Sequence, residues 1–476
     1  MPVPEQVRPF YDGGWQDGAD EGIVPDKFTG DPATSVGVSD RGQVADAIAS
    51  AVRGQQAAGW GPADRFRVLS GASGLLTAQV ADFITAIVAD TGFTLADAAR
   101  EVERAAQTLL ISGEEAKRLA GEVVPLEGAP GIRGRIGYTV FHPVGVVCAI
   151  TPFNSPLNTL LHKVAPALAA GNSVVLKPAM QTPRTADRVL RLLLEAGVPA
   201  GLLSVVYGPG HTVGQWLLED QRPAFYAFTG STEVGRKVRS AAGLRRTQLE
   251  MGSLSSTIIC ADANIDTAVA KVVAAGFRKA GQVCTSVQRL YVERSAEPDL
   301  AAALADIVGK KKAGDPALPD TFVGPVISPA DADRISQWIE EAVDGGARVA
   351  TGGTRDGNVV APTVLTDVNR DMAVMAREIF GPVVVLRPFD DLDVAITEVN
   401  DTPYGLATGI FTRDINRALT AADRLHMGSV HINETSSSRV DLMPYTGAKL
   451  SGSGREGPRY AIREMSEERL VTIGPA

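Results

Sequence analysis

Hydrophobic and polar positions along the chain fall into three successive regimes. Between about Val44 and Gly121, runs such as QVADFITAIVADTG and LADAAREVERAAQTLLISGEEAKRLAGE carry apolar residues at three- and four-residue spacing, which predicts amphipathic helices. From Gly121 to Val147, GEVVPLEGAPGIRGRIGYTVFHPVGVV places β-favouring runs on either side of a Gly/Pro turn, the pattern of a hairpin. Its exposed composition makes that ribbon a candidate for pairing with another subunit. Short, continuously apolar runs then alternate with helical ones. VVCAITPF precedes a helix over Pro156 to Ala170, SVVLKP one over Pro183 to Ala196, LLSVVYG one over Val213 to Leu218, and AFYAFTG one over Ser231 to Ala241. Strand-then-helix units of this length predict parallel βαβ units, hence an open α/β sheet. A second α/β series runs through STIICADAN, RLYVERS, TVLTDV, FGPVVVLRPF and TGIFTRD. The boundary between the two series is expected near Glu250 to Gly252, and a cleft at such a seam is where a site should form.

Composition narrows the function. At 476 residues the chain is too long for one core, so two domains or more are expected. A net charge of −9 argues against nucleic acid as a partner, because a nucleic-acid-binding face needs a basic surplus. The start, MPVPEQVRPFYDGGW, shows no basic residues followed by an apolar run, and no segment approaches the length of a membrane helix, so neither a secretory signal nor a membrane partner is expected. The three cysteines, Cys148, Cys260 and Cys284, are widely spaced and the five histidines scattered, which fits neither a disulfide framework nor a metal site. A reducing, cytoplasmic setting is the expectation.

The chemistry is concentrated in three segments. Cys284 lies in AGQVCTSVQRLYV, Glu250 in QLEMGS and Asn154 between two prolines in TPFNSPLN. A thiol, a carboxylate to act as base and an amide to hold an oxyanion make up an apparatus for covalent catalysis. Taken singly, each has a plainer reading: a buried inert thiol, a surface carboxylate, a turn asparagine. Cys148 and Cys260, inside apolar strand runs, take the inert reading. In FTGSTEVGR, Gly230 permits close backbone approach, Ser231 and Thr232 can cap the helix that follows, and the freed N–H groups suit a pyrophosphate. GPGHTVG, with Gly210, is superficially like a dinucleotide fingerprint but has the wrong spacing. Lys177, ending SVVLKP, is placed to reach ribose hydroxyls; alone, a Lys-Pro after a strand is a solvated turn.

Read together, these strings resemble the aldehyde dehydrogenase superfamily over about Phe10 to Ile473. TPFNSPLN, KPAMQTP, FTGSTEVGR, LEMGS, GQVCTS, EIFGPVVV, NDTPYGLATGIFT and YTGAKLSGSGREG recur in the family's order. Within it the chain looks most similar to lactaldehyde, phosphonoacetaldehyde and related small-aldehyde dehydrogenases. The pointers are the serine of LEMGS, SVQRLYV after the cysteine, and RVDLMPYTG with GREGPRYAIREM. The resemblance implies an open parallel-sheet cofactor domain (1–120 and 141–250), an α/β catalytic domain (251–450) and a β-arm for oligomerisation (121–140 and 455–476). The final strand ERLVTI would belong to the arm, in a homodimer or homotetramer.

By the same resemblance Cys284 is the nucleophile, Glu250 the general base and Asn154 the oxyanion amide. Thr151, Phe153, Lys177, Met180, Gly210, Gly230, Ser231, Val234, Gly252, Glu378 and Phe380 are cofactor-binding positions, with Glu378 on the nicotinamide ribose and Phe380 against the nicotinamide. The cofactor would be NAD or NADP and the substrate a small polar or anionic aldehyde. Two departures matter. Met180 stands where a glutamate often grips the adenine ribose, so the usual support for strict NAD preference is missing. Val283 and Ser155 stand where phosphonate-oxidising relatives often carry Arg and His, which leaves Arg104 and Arg439 as the expected anion holders, or else as solvated surface arginines. The alternatives are a coenzyme A-acylating relative, which does not need Glu250, oxidation of an aryl-aldehyde, and a non-catalytic protein on the same fold.

Overall fold

The computed structural model describes residues 5–475, so residues 1–4 and 476 of the expected spans lie outside it. Two open sheets form its framework, each with its own hydrophobic packing. The first has eight strands in the order 452–453, 246–250, 225–229, 146–150, 173–177, 203–205, 10–11, 14–15, and its five central strands are parallel. Val147, Ala149, Val174, Leu176 and Val205 pack on one face and Val146, Cys148, Val175 and Val206 on the other. Burial on both faces is why these strands read as apolar throughout rather than alternating. The second sheet has seven strands, ordered 348–351, 363–366, 383–389, 289–293, 256–259, 407–411, 429–432, parallel except for the first.

The helices expected before Gly121 are four: Arg41–Ala57, Pro62–Ala78, Val80–Thr91 and Leu95–Ala116. Thr94 caps the last of these by accepting from the Asp97 N–H at 3.2 Å, one of the orphan donors of a helix start. Among the described residues no single helix is long and apolar enough to cross a membrane.

The hairpin expected over Gly121 to Val147 is narrower than the sequence suggests. Val123–Val124 pairs antiparallel with Ile136–Pro143, whereas Val146–Ile150 leaves the ribbon and enters the first sheet. Ser466–Ile473 lies along Ile136–Pro143 of the same chain over its full length, making a three-stranded arm. Residues 452–465, part of which was expected in the arm, return instead to the first sheet. Gly452–Ser453 pairs with the strand that ends in Glu250, and Ile462 and Met465 on and just after the helix Pro458–Glu464 join the packing around Leu160 and Val164. The apolar side chains of YAIREM explain the return, since on an exposed arm they would stay in water.

Strand order locates the site. In the first sheet 146–150 lies between 173–177 and 225–229, so the chain winds outward in both directions from that point. Ligands of open α/β sheets bind beyond the carboxyl ends of strands at such a switch. The second sheet meets that crevice with its opposite edge: Ser253–Ser255, Cys284 and Glu378–Phe380 all precede the strands they lead into.

Candidate active site

A cleft of about 720 Å³ lies where the two edges face each other, and Asn154, Glu250 and Cys284 all line it. Cys284 follows a turn of unusual backbone. Lys279 (φ 53°), Ala280 (φ 52°) and Gly281 (φ 70°) are successively left-handed, a conformation that costs an ordinary side chain about 1–2 kcal/mol. Contacts from the helix Leu95–Ala116 and from the Asn154 loop hold it there. The Lys279 N–H donates to Asp97 Oδ2 at 2.8 Å, and its ammonium reaches the Asn154 carbonyl at 3.0 Å and pairs with buried Glu101. Glu101 also accepts from Ser155 Oγ and from the Leu157 and Asn158 N–H groups. The loop carrying Asn154 and the loop carrying Cys284 are thereby tied together, and Asn154 Nδ2 donates across to the Gln282 carbonyl at 2.8 Å.

The electrostatics are those of a desolvated site. Burial pushes the Cys284 thiol up to about 11; the carboxylates of Glu250 and Glu378 push the same way, while the Tyr445 hydroxyl, 3.4 Å from Sγ, and the Arg439 guanidinium oppose them. Glu250 ends a buried strand, and neither of its carboxylate oxygens has a hydrogen-bonding partner among the described residues. Burial, then the nearby Glu456, hold its carboxyl well above the usual carboxylate range. Glu378 is raised to about 7 by burial although Ser253 N–H donates to it at 3.1 Å.

The positions expected at the cofactor come from both edges of the cleft, most of them from beyond the first sheet and Glu378 and Phe380 from the second. Phe153, Lys177, Met180, Gly210, Gly230, Ser231, Val234, Gly252, Glu378 and Phe380 all line it; Thr151 does not. Thr151 is buried behind the rim, its N–H spent on the Lys177 carbonyl at 3.2 Å. Lys177 is not a solvated turn residue but a buried ammonium, lowered to about 8 by burial, with no carboxylate partner among the described residues. Ser231 caps Thr232–Ala242 through the Val234 N–H at 3.4 Å, and Phe153 and Phe380 meet edge to face at 5.9 Å. At Gly252 a β-carbon would stand 2.9 Å from a Glu378 oxygen. A long cleft with a helix N-terminus, close backbone approach and an uncompensated buried cation fits a dinucleotide.

The arginines depart from expectation. Arg104 and Arg439 line the cleft but are neither solvated nor free. Arg104 is matched by Asp441 at 2.7 Å, and Asp441 also takes Asn158 and His162. Arg439 donates to Glu456 at 2.9 Å, while Glu456 binds Lys163 at 2.8 Å. The guanidinium without a carboxylate among the described residues is Arg278, which the sequence reading did not single out. It is lowered to about 10, first by burial and then by neighbouring Arg104, and donates only to Ser437 Oγ at 2.7 Å. Cys148 and Cys260 are fully buried and pushed by burial to about 12 and about 11, as inert thiols should be.

The comparisons with known proteins agree with this geometry. The profile of the aldehyde dehydrogenase family matches residues 15–471. A 3-sulfolactaldehyde dehydrogenase of Priestia aryabhattai is 44% identical over 469 residues, 98% of each chain. A lactaldehyde dehydrogenase of Methanococcus aeolicus is 35% identical over 87% of this chain and 88% of its own. The crystal structure of aldehyde dehydrogenase 21 from Physcomitrella patens, in complex with its product succinate, superposes with a TM-score of 0.96 at 34% identity over 99% of both chains. With the two-sheet fold and the thiol-bearing cleft already in view, these matches establish that the chain belongs to the aldehyde dehydrogenase family and is an oxidoreductase acting on aldehydes with NAD or NADP.

Proposed function

We propose that the protein oxidises a small anionic aldehyde, bearing a carboxylate or sulfonate, to the corresponding acid by way of a thioester on Cys284. The observation that carries this reading is the meeting, in one cleft, of a thiol, a buried carboxylate without hydrogen-bonding partners and a guanidinium without a salt-bridged carboxylate, both among the described residues. Leaving a half-buried guanidinium without a paired carboxylate is costly, and an anionic substrate tail at Arg278 offsets that cost. The thiolate attacks the aldehyde carbon; Asn154 and the Cys284 N–H hold the developing oxyanion, where each donor is worth about 3–4 kcal/mol of barrier. NAD or NADP bound in the cleft supplies the hydride acceptor, with Lys177, Ser231 and Glu378 placed to hold it. Covalent addition is needed because an aldehyde carbon has no leaving group but hydride. Loss of hydride leaves a thioester, and Glu250 takes the proton of the water that hydrolyses it. A coenzyme A-acylating enzyme would have no use for that carboxylate.

We infer further that the arm joins copies into a homodimer or homotetramer, because Val123, Ile136, Leu470 and Ile473 on it are exposed and, among the described residues, the outer edge of Ser466–Ile473 has no strand beside it. The test of the substrate is a panel of small hydroxy-, carboxy-, sulfo-, phosphono- and aryl-aldehydes assayed with both cofactors. Carboxy- or sulfo-aldehydes should lead, and Arg278→Leu should raise their KM by about tenfold or more while leaving neutral aldehydes nearly unchanged. Faster oxidation of aryl-aldehydes, or an Arg278→Leu effect equal on charged and neutral substrates, would overturn the substrate class.

A further inference from the structure

Tyr445 brings a second side chain to the reacting sulfur. Its ring is buried, and its hydroxyl lies 3.4 Å from Cys284 Sγ. No other side chain among the described residues makes a hydrogen bond to that atom. The ring is held on two sides. Its backbone exchanges both hydrogen bonds with Glu456, at 3.1 and 2.8 Å. The Arg439 guanidinium lies over its face, 3.8 Å from the centroid, and is itself fixed by Glu456.

While the sulfur carries its proton, either partner of this contact can donate. Once the thiol has ionised, only the phenol can, and the hydrogen bond becomes charge-assisted. We propose that Tyr445 is a catalytic residue of this enzyme, its phenol donating to the Cys284 thiolate and stabilising the nucleophile against the nearby carboxylates of Glu250 and Glu378, in the same direction as the Arg439 guanidinium. The S–H bond breaks and its proton leaves to water through the open cleft; the phenol keeps its own proton, and nothing is oxidised or reduced. Two features keep the tyrosine in that role. Burial and the neighbouring Cys284 hold its hydroxyl above its ordinary value, so it stays protonated. The cation over the ring draws electron density from the phenol and strengthens it as a donor. When the sulfur bonds to carbon its charge is gone and the hydrogen bond weakens, so the tyrosine favours the free nucleophile over the adduct.

This inference rests on the assignment of Cys284 as nucleophile, and its test does not need aldehyde turnover. Alkylation of Cys284 by iodoacetamide, followed by mass spectrometry of the Cys284 peptide from about pH 7 to about pH 12, reports the thiolate directly. Tyr445→Phe should raise the apparent pKa of alkylation by about one unit, the size of one hydrogen bond to a charged group. Near neutral pH the alkylation rate should fall only about threefold, because the less stabilised thiolate is a stronger nucleophile. Replacing tyrosine with 3-fluorotyrosine, a more acidic phenol of nearly the same shape, should lower the pKa in the wild-type chain and leave the Tyr445→Phe chain unmoved. Should Tyr445→Phe fail to fold, the fluorotyrosine arm decides alone. An alkylation profile unchanged by either replacement would overturn the role of the phenol. Aldehyde oxidation that is absent while the profile shifts as stated would overturn the proposed reaction but not the contact.

Discussion

At Cys284 and Glu250 two opposed demands meet. A buried site sharpens the electrostatics of the reaction but makes both the thiolate and the carboxylate expensive to form. Glu250→Gln should therefore leave a pre-steady-state burst of reduced cofactor with little steady turnover, because hydride loss precedes water attack; stopped-flow absorbance checks this. Were the burst to vanish with the steady rate, Glu250 would be needed to ionise the thiol. In the wild type the base form of Glu250 is lost as pH falls through its raised pKa. Steady turnover should thus begin to fall at a pH above the ordinary carboxylate range, while the burst amplitude persists to lower pH. That Cys284, Glu250 and Asn154 line one cleft was legible from the order in which their strings recur along the chain, although each alone had a plainer reading. Arg278 was not. Whether an arginine is free depends on whether a carboxylate reaches it, and the one that reaches Arg104 comes from 337 positions away.

Among the elements, the left-handed turn before Cys284 bears most on activity. Lys279 holds it, and removing one partner of a buried ion pair costs about 3–5 kcal/mol. Lys279→Ala should lower the urea midpoint accordingly and slow Cys284 alkylation, since the turn loses its tie to the Asn154 loop; a stable variant with native alkylation would show that the turn holds itself. No sequence signal marks this strain, because Lys279 and Ala280 are residues that do not favour positive φ. The parallel strands were legible for the opposite reason. Burial on both faces writes itself as unbroken apolar runs, and helices starting at Asn158, Pro183 and Thr232 follow them within a residue or two of expectation. Where a segment's partner lies far along the chain, as for residues 452–465, the local pattern carried no such information.

On the scale of the whole molecule, cofactor choice and assembly follow from what lies at the two extremities of the fold. Met180 presses against Gly22, where a β-carbon would stand 2.7 Å from its Cε, and buried Lys177 lines the same cleft. With no carboxylate at position 180 to repel a 2′-phosphate, a term of about 4 kcal/mol for charges about 4 Å apart near a surface, turnover is expected with both NAD and NADP. Met180→Glu should weaken NADP selectively, and a wild type that ignores NADP would place the discrimination elsewhere. Deleting residues from Glu468 onward strips most of the outer strand from Ile136–Pro143. The mass by light scattering should then drop from that of the oligomer, and an unchanged mass would mean that the arm is not the interface.

The return of residues 452–465 to the first sheet has a consequence for how the protein is made. The strand ending in Glu250 gains its outer neighbour only from Gly452–Ser453, and Lys163 meets Glu456 across 293 positions of chain. During synthesis the whole second sheet emerges from the ribosome before the first can close. Until then an apolar flank around Leu160 and Val164, which Ile462 and Met465 later help to cover, stands open beside an unfinished sheet. Such a nascent chain is a client for chaperones and a hazard for aggregation. A chain cut short before residue 452 would carry nearly all of the first sheet and still lack the segment that completes it.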